Sequence, residues 1–305
     1  MSVKPSQELE IKGQTWIWRG QTIHYREGQS AQKEWPVLVL IHGFGASAGH
    51  WQRLMPDLMT HANVYALDLL GFGQSAKPPF DYKTDLWRDQ VRDFCQQVVQ
   101  RPVVLVGNSL GGYVSLSVAV DYPEGVKGVV LLNSAGSWRQ GNANVGQGQS
   151  QGSWVRGVVG GLLRQSLVSW GLFHYLRQPQ VIRKTLAKVY VNQAAITDEL
   201  VEMIRRPSED PGAAQVFISL MREQQQGRPV DELLQRLVRP LLLIWGERDP
   251  WINAAQRSQL FHQHYHDLTE HFVDAGHCPH DDRPELVYPL MRDWLTHRWA
   301  GIHAS

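Results

Sequence analysis

The chain has 305 residues, 43% of them hydrophobic, and 30 lysines and arginines against 29 aspartates and glutamates give a formal charge of +1. That length can bury a large core and admits one domain with a sizeable insertion, while the balanced charge excludes the basic profile of a nucleic-acid binder. Cys95 and Cys278 make no disulfide framework, the N-terminus lacks an apolar signal core, and no apolar run approaches the roughly 20 residues of a membrane span. The expectation is a soluble, cytoplasmic protein whose contact with a membrane is at most peripheral; nothing in the sequence sets its oligomeric state.

Residues 9–19 and 22–26 alternate apolar and polar side chains around Gly20-Gln21, as a β-ribbon with a short turn does. Residues 37–41 are a continuous apolar run, expected of a parallel strand covered on both faces, and end in the loop His42-Gly43-Phe44-Gly45. A helix-like stretch over 51–59 precedes a strand over 64–67, which closes in Asp68-Leu-Leu-Gly71-Phe-Gly73-Gln-Ser75. Residues 84–99 carry apolar side chains at near-helical spacing, followed by a strand over 103–106, a helix over 110–121 and a strand over 126–132. Strands alternating with helices predict right-handed βαβ units and a parallel sheet.

The alternation then stops. Residues 141–152 are a Gly/Gln/Ser/Asn tract that reads as a mobile loop, and helix-like pieces follow over 154–176, 181–191, 197–205 and 212–225. The pattern resumes with a strand over 240–245, a helix over 253–264, a short strand at 272–273 and a closing helix over 284–296. The expected architecture is an α/β fold, a mostly parallel sheet flanked by helices from residues 1–136 and 240–305, with residues 137–239 inserted as a helical lid.

The strand over 103–106 opens directly into Gly107-Asn108-Ser109-Leu110-Gly111-Gly112 and then a helix, which places Ser109 on a strained strand-to-helix turn with its hydroxyl at the sheet edge. A serine needs a general base, and the base needs an acid to fix its tautomer. His277, in Asp274-Ala-Gly-His277-Cys278-Pro279, follows the last strand, and Asp249, in Trp245-Gly-Glu-Arg-Asp249-Pro250, follows the one before. All three therefore fall at the C-terminal edge of one parallel sheet, where ligands bind in such folds. The backbone N–H groups of Leu110 and Phe44 are the candidate oxyanion donors.

Other residues take simpler readings. His42 anchors its loop, Asp68 holds the Gly71/Gly73 loop by hydrogen bonds, and Glu247 is the alternative to Asp249 as the acid but lies nearer the strand. Cys278 reads as a small buried side chain, His280 as part of the turn into the last helix, and His262, His264 and His266 as a solvated helix end rather than a metal site. No phosphate-binding glycine loop or cofactor motif is found, so neither metal nor cofactor is expected.

With the Ser, Asp, His order, the His42–Gly45 loop and the Asp68–Ser75 loop in register, the chain resembles the α/β-hydrolase superfamily over its core. A serine nucleophile implies esterases, lipases, acyltransferases or carbon–carbon bond hydrolases rather than the branches that use aspartate. More narrowly, Gly107–Tyr113, 128–136 and 276–281 resemble plant and cyanobacterial hydrolases related to chlorophyll dephytylase and pheophytinase, which implies cleavage of the phytyl ester of chlorophyll-type pigments. From Trp138 to Val191 there is no acidic residue, and Arg139, Arg156, Arg164, Arg177, Arg183, Lys184 and Lys188 interleave with aromatic side chains. Trp138, Trp154, Trp170 and Phe173 are the expected substrate contacts of a lid, and the same composition suits peripheral contact with an anionic membrane. The expected function is hydrolysis of a large lipophilic ester; the alternatives are a carbon–carbon bond hydrolase of a dienone acid, a general lipase or esterase, and a ligand receptor that keeps the hydrolase frame.

Overall fold

Strands β1 (Ile11–Trp18), β2 (Gln21–Gly28), β3 (Val37–Ile41), β4 (Val64–Leu67), β5 (Val103–Asn108), β6 (Val126–Leu132), β7 (Leu241–Gly246) and β8 (Leu268–Val273) form one sheet in the order β1-β2-β4-β3-β5-β6-β7-β8. β2 pairs antiparallel with β1 and with β4, and every other pairing is parallel. The computed structural model describes residues 10–32, 34–139, 166–222 and 227–299. The 141–152 tract, Trp154 and the start of the helix expected over 154–176 lie outside them.

The central strands are apolar throughout because both faces are covered, and their period of two divides the core. Val39, Ile41, Leu105, Leu131 and Leu243 pack against α2 (Thr84–Phe94), α3 (Leu110–Asp121), α8 (Val230–Arg236) and α9 (Ala254–His264) through Trp87, Phe94, Val114, Leu233, Leu234 and Phe261. Leu38, Leu40, Val104, Val106, Leu242 and Ile244 face the other way, onto α1 (Met55–Leu58) and α11 (Pro284–Trp299) through Met55, Leu58, Val287, Met291 and Leu295. Each such fully buried aliphatic side chain contributes about 1.5–3 kcal/mol.

Several elements differ from their sequence patterns. The stretch over 51–59 is a 3₁₀ turn at Ala48–Trp51, capped by Ser47 Oγ, followed by the single turn α1. The helix expected over 84–99 is α2 continued by a π-turn at Cys95–Val99, which Gln100 closes at a φ of 55°. β8 is longer than the pair 272–273, because an edge strand half open to solvent carries Thr269, Glu270 and His271 and so hides its apolar signature.

Between β6 and β7 the described chain is helical: α4 (Ser166–Leu176), α5 (Pro179–Val189), α6 (Asp198–Arg205), α7 (Ala213–Arg222) and α8. α5 and α6 share a small cluster of Ile182, Leu186, Val189, Leu200 and Val201, while Phe173, Ala213 and Phe217 form another between α4 and α7. α8, which no sequence pattern announced, instead packs into the main core: Val230, Leu233 and Leu234 are fully buried there.

Candidate active site

β5 enters α3 through Ser109, whose φ of 52° and ψ of −116° lie where an L-residue is rarely found. The turn is possible because its neighbours lack side chains. A Cβ on Gly107 would lie 2.3 Å from the Gly111 carbonyl oxygen, and one on Gly111 would lie 2.1 Å from that of Ile41. The Ser109 amide donates to the Leu132 carbonyl at 3.1 Å, and the Ser109 carbonyl accepts from Gly112 and Ala135, each at 3.0 Å. Ser109 is thus fixed from β6 as well as from its own helix.

Asp249 and His277 meet across the ends of β7 and β8, with His277 Nδ1 2.6 Å from Asp249 Oδ2. The same oxygen accepts from Asn133 Nδ2 at 2.6 Å, and Oδ1 accepts from the amides of Trp251 at 2.8 Å and Ile252 at 3.1 Å. Burial alone would push this carboxyl up. The His277 hydrogen bond and charge, with the Trp251 and Asn133 donors, outweigh it and hold Asp249 below the ordinary aspartate range. An ionised Asp249 only accepts, so the proton of neutral His277 sits on Nδ1 and Nε2 keeps its lone pair. Glu247 is exposed in the same loop, and its amide is tied to the Val273 carbonyl at 3.0 Å.

Two asparagines that sequence reasoning missed support this pair. Asn133 ends β6 at a φ of 43°, donates to Asp249 and accepts from the Gly246 amide at 2.7 Å. Asn108, the residue before the serine, donates to the Leu132 carbonyl at 3.0 Å and the His277 carbonyl at 2.9 Å. Both stand inside stretches that the sequence singles out, but a side-chain amide carries no periodicity that would reveal its partner.

His42 is committed on both nitrogens: Nδ1 donates to the Gly43 carbonyl at 2.7 Å, and Nε2 accepts from the Leu69 amide at 3.1 Å. Burial lowers its pKa, so it is a neutral anchor. Asp68 accepts from the amides of Ala48 at 2.5 Å and Gln74 at 2.9 Å and faces His24 Nδ1 at 2.8 Å, knitting its loop to β2. A Cβ on Gly43 would stand 3.2 Å from Ser109 Cβ, which puts the Phe44 amide beside the turn. Leu110 is the first residue of α3, and its amide is one of those that a helix start leaves without an internal partner.

A cavity of about 920 Å³ opens on this edge, bordered by Ser109, His277 and Phe44 on one side and by Leu176, Ile182, Leu186 and Ile204 of the helical segment on the other. The two sides are tied together. The His277 amide donates to the Val189 carbonyl at 2.9 Å, and the buried Asp282 accepts from the amides of Gly276 at 2.7 Å, Val191 at 3.0 Å and Asn192 at 2.8 Å. Tyr190 Oη donates to Asp281 at 2.7 Å and lies 2.8 Å from His50 Nε2.

Of the aromatic residues expected to touch substrate, Trp138 borders the cavity and Trp154 lies outside the described residues. Trp170 and Phe173 do not border it. Trp170 is 52% exposed and stacks on His174, whereas Phe173 is buried against Phe217 in the α4–α7 cluster. The reason is helical phase: the apolar face of α4 is used on α7, and Leu176 at its end is what reaches the cavity. Trp251, not anticipated, meets the His277 ring edge-on at 4.7 Å.

Cys278 is buried 3.7 Å from Asn108 Oδ1, and burial pushes its thiol far up. His280 lies within α10 (Pro279–Asp282), but its ring is also core, packed on Trp51 at 4.0 Å with its pKa driven down by burial. Among the described residues no group of three His, Cys, Asp or Glu side chains is placed to hold a metal, and His262 pairs with Glu270 at 3.0 Å.

Comparison with known proteins identifies the fold. The alpha/beta hydrolase fold family matches residues 36–284. A chloroplastic pheophytinase of Arabidopsis thaliana is 29% identical over 92% of the chain, which spans 65% of the length of that relative. A 2-hydroxy-6-oxo-2,4-heptadienoate hydrolase of Pseudomonas putida is 28% identical, over 85% of this chain and 88% of that one. Among solved structures, a bacterial membrane phospholipase A superposes with a TM-score of 0.75 at 26% identity, covering 94% of this chain and 86% of that one.

Proposed function

The chain belongs to the α/β-hydrolase family, and from that premise we propose that it is a serine hydrolase cleaving the carboxylic ester of a large lipophilic molecule, with Ser109, His277 and Asp249 as its triad. The observation that carries this is Ser109, on its strained turn, sharing a cavity with a histidine whose Nδ1 is held by a buried carboxylate. His277 Nε2 takes the proton of Ser109 as Oγ attacks the ester carbonyl, and the Phe44 and Leu110 amides receive the oxyanion. As the intermediate collapses, His277 returns the proton to the departing alcohol and leaves an acyl-enzyme. It then activates a water that releases the acid and restores Ser109.

The finer reading is a phytyl ester of chlorophyll-type pigments. It is supported by the similarity to the pheophytinase, by the size of the cavity and by the apolar side chains of α4, α5 and α6 that border it. Parallel assays on chlorophyll, pheophytin and short-chain nitrophenyl esters test it. Turnover of the pigments above that of the short esters is expected, and hydrolysis confined to the short esters overturns the pigment reading. The likeness to the heptadienoate hydrolase supports a second reading, carbon–carbon hydrolysis by the same triad, which turnover of a dienone acid without ester cleavage would establish.

Peripheral attachment to an anionic membrane belongs to the same proposal. α4 exposes Val168, Trp170, Tyr175 and Leu176 in a stretch with no acidic residue, a composition suited to an interfacial helix. Co-sedimentation with anionic liposomes at low salt, lost at high salt, is expected; no sedimentation at low salt refutes it.

A further inference from the structure

Arg257 sits one turn into α9, with its amide on the Asn253 carbonyl at 3.0 Å, and the residue is only 6% exposed. Its guanidinium offers five N–H donors, of which Nη1 donates to the Gly136 carbonyl at 2.8 Å, while the buried Nε has no acceptor among the described residues. No carboxylate pairs with it among the described residues, and the chain outside them holds only two acids, Glu8 and Glu223. Other arginines of the fold are treated differently: Arg88, Arg92 and Arg228 each meet an aspartate within 3.1 Å. Burial pushes Arg257 down to about 10, so it still carries its charge at neutral pH.

Its surroundings belong to the catalytic cavity. Arg257 and Trp138 both border it, the guanidinium carbon lies 5.9 Å from the Trp138 ring centre, and Trp138 Nε1 is a second buried donor without an acceptor among the described residues. Among the described residues no acidic side chain borders the cavity, and Arg257 is the one lysine or arginine that does so. A buried charge without a counter-charge is costly, and a guanidinium answers best to a planar two-oxygen anion.

We propose that Arg257, with Trp138, forms a carboxylate-binding subsite in the substrate cavity, so that the molecule cleaved at Ser109 carries a free acid group elsewhere on its lipophilic body. The proposal rests on the hydrolase reading only in taking this as the substrate cavity. Phytylated chlorophyll and pheophytin carry their second carboxyl as a methyl ester and offer no free acid, so a working subsite counts for another acid-bearing lipophilic ester and against the pigment reading, while the triad chemistry stays as it is. A carboxylate supplies the missing negative charge and an acceptor for the idle donors, whereas a neutral ester supplies only a weak acceptor.

The test uses two probes that differ in that group alone, monomethyl and dimethyl dodecanedioate, titrated calorimetrically into the Ser109→Ala protein. Tighter binding of the monoacid by at least about tenfold is expected, with the ratio falling to near one when Arg257→Gln is added and falling partly with Trp138→Phe. Equal affinity for the two probes, or a preference that survives Arg257→Gln, overturns the subsite. Should the glutamine variant fail to fold, a crystal structure of Ser109→Ala with the monoacid decides. A carboxylate within hydrogen-bond distance of the Arg257 guanidinium supports the subsite, and one seated at the Leu110 and Phe44 amides overturns it. Because Ser109→Ala performs no chemistry, this result is separate from the turnover assays that test the esterase.

Discussion

Around Ser109 position is set by backbone against backbone, whereas across the cavity the helices α4 to α7 meet through side chains in two small clusters. On the first side Gly107, Gly111 and Ile41 leave no room for a methyl group, and the acid and base are bound by Asn133, Asn108 and two further amides. On the second, Leu176, Ile182, Leu186 and Ile204 present only interchangeable aliphatic surface. Chemistry requires placement to within a fraction of an ångström, which close backbone contact supplies. Accommodation of a lipophilic body requires area and volume, which many side chains supply equally well.

Substitutions on the two sides should therefore differ in kind. Ser109→Ala is expected to lower kcat/KM by about 10⁴-fold or more while the unfolding temperature stays unchanged, and a variant that keeps turning over would remove the nucleophile from the mechanism. Asp249→Asn should cost about 10³- to 10⁴-fold, mainly in kcat. Asn133→Ala leaves Asp249 one donor short, and about a ten- to hundredfold loss in kcat with little change in KM is expected. A change confined to stability would show that Asn133 only braces the loop.

The contacts between the two sides come next. Asp282→Asn weakens the acceptor of three amides that join α5 to the His277 loop, and a loss of about 1.5–3 kcal/mol is expected in denaturant unfolding. Acid should act on the same side as the chemistry. Asp68 and Asp249 both titrate lower in the folded chain than in the unfolded one. The unfolded state therefore takes up protons first, and the stability these groups give, complete above the ordinary 3.8, drains away as pH falls toward their lower folded values. Asp68→Asn should flatten that acid limb in thermal melts recorded across it. The smallest effect belongs to the helical side: Leu186→Ala should change the preference among acyl or alcohol chain lengths by roughly tenfold, seen as a shift in relative KM.

The same contrast explains what could be read from the sequence. The strand-to-helix turn, the His42–Gly45 loop, Asp249 and His277 are legible because each requirement is local: glycines flank the crowded turn, the acid stands just after an apolar strand, and the base lies in the loop past the last one. The interior strands were legible for the same reason, since double burial writes a continuous apolar run. Asn133 and Arg257 were not, for their partners lie 116 and 121 positions away and nothing near them in the chain records the contact, and Asp282 has its links to α5 91 positions away besides a local one to Gly276. Trp170 and Phe173 misled because aromatic content shows that a helix has an apolar face but not which neighbour that face is turned to.

The packing around the glycines also sets where the protein can be altered without penalty. Replacing glycine by alanine usually strengthens a helix by restricting the unfolded chain. That route is closed at Gly107 and Gly111, where the added carbon meets a carbonyl oxygen, and open at Gly171, inside α4, where no described residue stands within 4 Å. The turn that fixes the nucleophile thus accepts no side chain at these two positions, whereas the helical side does at Gly171. New specificities can arise there in single steps, while the reaction they serve stays fixed.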